Sequence, residues 1–159
     1  MKNKLFLGMI SLLAIVIVFS VLTNRTNDNV TTNTDIEIEG KISNQEDALA
    51  AFETLETNLQ ATNNEDVDLY VTTLVATARE DTKKEMQAFF DEYDLENTLL
   101  SFKVLKQEEN RMLVETQQKT VNKGKNDYRD HIAEAHHTFV KENGKWVIEE
   151  TNMTNTHFI

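Results

Sequence analysis

Hydrophobic and polar positions fall along the chain in three regimes. From Leu5 to Leu22 the sequence is an apolar run without a charge, just long enough for a helix to cross the hydrocarbon core of a bilayer. From residue 23 to about residue 42 Asn, Thr and acidic side chains dominate and apolar residues do not cluster, the pattern of a flexible tether. From residue 43 onward apolar positions recur with regular periods, which predicts a folded domain over 43–159.

The domain opens with helical periods. Ser43 stands three residues before Glu46 in capping-box spacing, and Ala48, Phe52, Leu55 and Leu59 then form one apolar stripe on a helix of about five turns. Asn63-Asn64 ends it. A second, shorter helix is predicted from near Glu65, with Asn64 as its cap and Val67, Tyr70, Val71 and Leu74 inward. A third runs from about Asp81 to Tyr93, with Met86, Phe89, Phe90 and Tyr93 inward.

After Asp94 the period changes to two. Leu100, Phe102 and Val104 alternate with Ser101, Lys103 and Leu105, Met112, Val114 and Thr116 alternate with Leu113, Glu115 and Gln117 in a strand ending near Val121, and a further strand is predicted from about Tyr128 to Lys141. Asn143-Gly144 is a strong hairpin signal, leading into a last strand from Lys145 to Thr151 with Trp146 and Ile148 on one face. Three helices followed by four antiparallel strands define an α+β domain, with the helical stripe covering one face of the sheet.

The flanks of the apolar run orient it. Lys2 and Lys4 precede it and only Arg25 follows closely, so the N-terminus is expected in the cytoplasm and residues 23–159 outside. The run exceeds the apolar core of a typical cleavable signal, and its best cleavage site, Val18-Phe-Ser20, is weak. A single-pass cell-membrane anchor is therefore expected, with a cleaved signal and a secreted domain as the alternative. The chain has no cysteine, which excludes disulfides and a lipid-modified cysteine. All 27 acidic residues follow the run, together with 14 of the 16 Lys and Arg, a net charge of −13 for that part. Such a charge argues against nucleic acid as a partner and serves to keep an exported domain soluble; a cationic partner is the sharper alternative.

Several segments together resemble a known family. Ala50-Ala-Phe-Glu-Thr-Leu55 lies in the first helix and Asn64-Glu-Asp-Val-Asp-Leu-Tyr70 opens the second. Phe102-Lys-Val-Leu105, Val114-Glu-Thr-Gln117 and Phe139-Val-Lys-Glu-Asn-Gly-Lys-Trp-Val-Ile148 follow. Over about residues 44–151 this is similar to the NTF2-like superfamily, in its SnoaL and ketosteroid-isomerase-like branch. The resemblance implies a cone, a strongly curved antiparallel sheet wrapped around a long helix with a pocket at the wide end. It also implies dimer contacts on the convex face of the sheet.

The candidate chemistry is sparse. His131, His136, His137 and His157 suggest a metal site, but adjacent His136 and His137 point to opposite faces of a strand, and His131 stands about 20 Å from His137 at ~3.3 Å per residue. Glu134 or Asp130 paired with His136 is a conceivable acid–base couple, with ordinary cross-strand polar pairing as its alternative. A Gly-x-Ser-x-Gly elbow and a phosphate loop are both missing. No catalytic residue, metal or cofactor is therefore assigned. Tyr70, Tyr93, Gln117, His136 and Trp146 are the expected lining of a ligand pocket, although the aromatic residues serve equally as core.

Three functions follow from these features. The first is a membrane-anchored, extracytoplasmic, non-catalytic binding or assembly module, expected as a homodimer, with a protein or a small apolar ligand as its partner. The second is an isomerase-, cyclase- or hydrolase-type enzyme acting in the cone pocket. The third is a carrier or sensor of an apolar ligand. The anchor and the missing catalytic constellation favour the first.

Overall fold

The computed structural model describes residues 36–159 and the backbone of Val30–Thr31. The expected membrane segment, Leu5–Leu22, lies outside the described residues. Among the described residues no helix is long and apolar enough to cross a membrane.

The elements in chain order are β1 (Val30–Thr31), β2 (Glu37–Gly40), α1 (Gln45–Asn63), α2 (Val67–Thr72), a 3-10 turn (Ala76–Ala78), α3 (Arg79–Glu92), β3 (Leu95–Gln107), β4 (Arg111–Asn122), β5 (His131–Glu142) and β6 (Lys145–Phe158). The six strands form one sheet in sequence order. All neighbours are antiparallel except β2 and β3. A parallel pair needs a long crossover, and the three helices between β2 and β3 supply it. Helix α1 packs against both β3 and β6, so the four long strands wrap around it. The mixed α+β architecture expected from the sequence is the one found.

The core lies between α1 and the inner face of the sheet. Phe52 of α1 meets Phe102 of β3 edge to face at 5.3 Å, and Phe102 meets Phe139 of β5 at 6.3 Å. Leu55, Val104, Met112 and Val114 are fully buried around these rings. Each large apolar side chain buried in this way contributes roughly 1.5–3 kcal/mol of transfer free energy.

The boundaries depart from the sequence pattern at informative places. The N-cap of α1 is Asn44 rather than Ser43, and its Oδ1 accepts from the Asp47 N–H at 3.1 Å. Ser43 N–H and Asn44 N–H instead donate to Oε1 of Gln107 at 2.8 and 3.1 Å, a long-range clamp that no local motif announces. Helix α2 starts at Val67 with Asp66 as cap, accepting from Leu69 N–H at 2.9 Å. Glu65, the expected start, has φ 55°, a left-handed conformation that no helix accommodates.

The tether pattern was expected to persist to about residue 42, but Glu37–Gly40 is a strand. Ile38 and Ile42 are buried, and Ile38 pairs with Phe102. One apolar residue among four is too faint a signal in so short a strand. Strand β6 also outruns its expected end at Thr151, because its later residues are mostly polar and exposed. In β3 the register shifts between Leu99 and Ser101, so Leu99 turns inward and Leu100 is exposed, breaking the simple alternation expected there.

Candidate functional site

Alternation along β4 and β5 sorts their polar side chains onto two faces. Inward are Thr116, Gln118 and Thr120 of β4 and His131 and His137 of β5; outward are Glu115 and Gln117 of β4 and Glu134 and His136 of β5. The expected divergence of His136 and His137 is found.

His137 is the centre of an inner polar cluster. Its Nδ1 lies 2.9 Å from Thr151 Oγ1, and its Nε2 lies 3.1 Å from both Thr116 Oγ1 and Gln118 Nε2. The Gln118 amide donates to Nε2, which leaves the ring proton on Nδ1 to be donated to Thr151. Burial, with a smaller repulsion from His136, lowers the pKa to about 4. The ring is therefore a neutral, hydrogen-bonded imidazole at neutral pH and a weak base. No buried side-chain nitrogen or oxygen among the described residues lacks a partner.

A second polar set fastens α1 to the hairpin of β5 and β6. Trp146 Nε1 donates to Asp47 Oδ1 at 2.8 Å, and Lys141 Nζ reaches the same oxygen at 2.8 Å. Burial raises the Asp47 pKa, but the hydrogen bonds from Lys141 and Trp146 and the Lys141 charge together bring it below the ordinary value. Three turns further along α1, Asn58 Nδ2 donates to Thr73 Oγ1 at 2.7 Å, and Thr73 Oγ1 donates to the Tyr70 carbonyl at 2.6 Å. Burial raises the Tyr70 pKa, opposed by a hydrogen bond with Asn58.

The outer face carries a groove of about 400 Å³. Glu37 and Glu39 of β2 form one wall, with Lys103, Glu115, Gln117 and Glu134 from the next three strands. Within it Glu115 meets His136 at 3.4 Å and Lys103 at 4.0 Å, and Gln117 donates to Glu134 at 3.2 Å. Four carboxylates against one lysine make it an acidic trough open to solvent.

The five expected pocket residues do not converge on one cavity. Tyr70 and Trp146 are buried in the core, Gln117 and His136 face outward near the groove, and Tyr93 stacks on Phe89 and Tyr128 at 5.2 and 5.3 Å. Neither proposed acid–base couple forms. His136 meets Glu115 across the β4–β5 ladder, while Glu134 is engaged by Gln117 and Asp130 Oδ1 accepts from the Asn122 N–H at 2.8 Å. Among the described residues no three His, Asp or Glu side chains gather as metal ligands. Sequence reasoning missed the contributions of Asp47, Thr151 and Glu37. The Asn143-Gly144 turn alone would set Glu150 opposite His137; the register shift between Thr138 and Phe139 brings Thr151 there instead, and no local signal announces that shift.

The architecture places the chain among NTF2-like and cystatin-like α+β folds. A cystatin-like-fold protein of unknown function from Nostoc punctiforme PCC 73102 superposes with a TM-score of 0.60 at 17% identity, over 69% of this chain and 91% of that one. A proposed dehydratase of the NTF2-like family from Streptomyces avermitilis gives 0.59 at 10% identity, over 67% and 93%. A proposed scytalone dehydratase from Novosphingobium aromaticivorans gives 0.56 at 15%, over 69% and 85%. At these identities the likeness is one of fold. More specifically, the model of the C-terminal domain of the anti-sigma-I factor RsgI9 matches residues 53–159, and the chain belongs to that family. No curated protein matches the sequence.

Proposed function

We propose that this chain is a non-catalytic binding module of a regulatory kind, held outside the cell membrane by Leu5–Leu22. The observation that carries the proposal is the filling of the cone. Where an enzyme of this fold would keep a cavity, Phe52, Phe102 and Phe139 pack ring to ring. Membership in a family named for the C-terminal domain of an anti-sigma factor supports a role in regulation. The open groove on the outer face, bordered by Glu37, Glu39, Glu115 and Glu134, is the contact surface this proposal assigns, with a cationic protein segment as its ligand.

The competing proposal is an enzyme or carrier working inside the cone. The cluster of Thr116, Gln118, His137 and Thr151 is the specific observation in its favour. A ligand there would have to displace contacts that already satisfy His137.

One experiment separates the two. The full chain, with a photo-crosslinking residue in place of Gln117 or of Phe139, is expressed in intact cells, and its adducts and mature mass are read by mass spectrometry. The expected outcome is a protein adduct from the Gln117 position on a chain that retains residues 5–22. A small-molecule adduct from the Phe139 position would favour the interior, and a mature chain starting after about Ser20 would refute the anchor.

A further inference from the structure

Strand β6 is the far edge of the sheet, with β5 as its one strand partner among the described residues. Its other side is covered along only part of its length. Thr73 O accepts from Ile148 N–H at 2.8 Å, and Val75 N–H donates to Ile148 O at 3.0 Å, so the connector after α2 docks there as a one-residue parallel bridge. Beyond Ile148 no described strand pairs with that side. The strand continues to Phe158, and residues 152–159 are all exposed.

An open edge invites another strand, and proteins usually guard such edges with lysine, proline, short length or bulges. Here residues 151–159, Thr-Asn-Met-Thr-Asn-Thr-His-Phe-Ile, hold no Asp, Glu, Lys, Arg or Pro. A register shift that leaves Thr154 unpaired is the one interruption. Met153 and Phe158 of β6 are 51% and 44% exposed, and Ile159 just after it 59%, a concentration of apolar surface at this end of the edge.

We infer that β6 pairs with β6 of a second copy, antiparallel and across a two-fold axis, to join the two sheets edge to edge. Charge selects this occupant. A chain with a net charge of −11 repels its own copies over most of its surface, and residues 151–159 offer a strip where two copies meet without opposing like charges. Length selects it too. A two-fold pair gives each open edge a strand of its own length, whereas β1, at the opposite edge, offers two residues among those described. The inference goes beyond the binding function proposed above and holds whatever that groove takes.

The absence of cysteine makes a direct test available. Single cysteines are placed in the full chain at each position from Asn152 to Phe158, with Gln117→Cys as the outer-face control, and membranes are oxidised and run without reductant. Directly opposed residues of an antiparallel pair bring their Cβ atoms to about 4.5–5.5 Å. A disulfide-linked dimer is therefore expected at one or two neighbouring positions in β6, with at least a tenfold lower yield at the control. Adding a lysine two residues from the best position should cut that yield at least tenfold with an unchanged thermal melt. Monomer at all seven positions, an equal yield at Gln117→Cys, or a yield indifferent to the lysine would overturn the inference.

Discussion

Gly40 shows how tightly one position can be held. Its φ is +107°, and a Cβ built there would lie 2.2 Å from the Val104 carbonyl oxygen. Backbone meets backbone, so no side chain can swing aside, and the left-handed region adds its own strain. Gly40→Ala is expected to cost about 1–3 kcal/mol, read as a lowered urea midpoint with an unchanged slope. His137 makes a second prediction at this scale. The unfolded chain protonates this site below about pH 6.5, whereas burial delays protonation in the folded chain to about pH 4. The stability His137 provides is complete above pH 6.5 and is lost as pH falls towards 4, on the order of 3 kcal/mol. Urea titrations of the wild type and His137→Gln test this: the wild type should lose that much more than the variant across the window, and parallel losses would contradict it. Neither residue was legible as special. Gly40 sits in a stretch that reads as tether, and alternation separates His136 from His137 without telling which of the two faces the core.

At the scale of elements, caps and turns decide where the periodic patterns begin and end. The capping-box spacing pointed to Ser43, but Asn44 holds the α1 N-terminus. Asn44→Ala should therefore destabilise by about 1 kcal/mol, and Ser43→Ala by a few tenths at most, in thermal melts of the two variants. The reverse order would restore the capping box. The Asn143-Gly144 turn was legible because the conformation demands it, with φ of 50° and 76° at the two positions. The apolar stripe of α1 and the alternation of Met112, Val114 and Thr116 were legible for the same reason, since the buried face and the period coincide. Bulges were not. The extra residue at Leu100 and the offset between Thr138 and Phe139 change which side a residue faces without changing composition.

At the scale of the whole molecule, the α+β order was visible because helices and strands segregate along the chain. The site was not. The outer groove joins β2 to three later strands, and nothing local links Glu37 with Glu134. The clamp from Gln107 to the start of α1 and the tie from Asp47 to Trp146 likewise span the chain. Such contacts exist only once the sheet has wrapped around α1, and this is why the expected pocket residues proved to be scattered.

Strand β1 has a consequence for distance. It pairs with β2, Val30 opposite Ile38, so the chain is already fastened to the sheet by Val30, and residues 23–29 are all that separate it from Leu22. Seven residues reach at most about 25 Å when fully drawn out, less than the width of roughly 35 Å expected for a domain of this size. With Leu5–Leu22 in a bilayer, the domain could not lift its own diameter off the lipid. It would drift as the bilayer drifts, and its encounters would be those of a two-dimensional neighbour, with whatever else stands equally close to the surface.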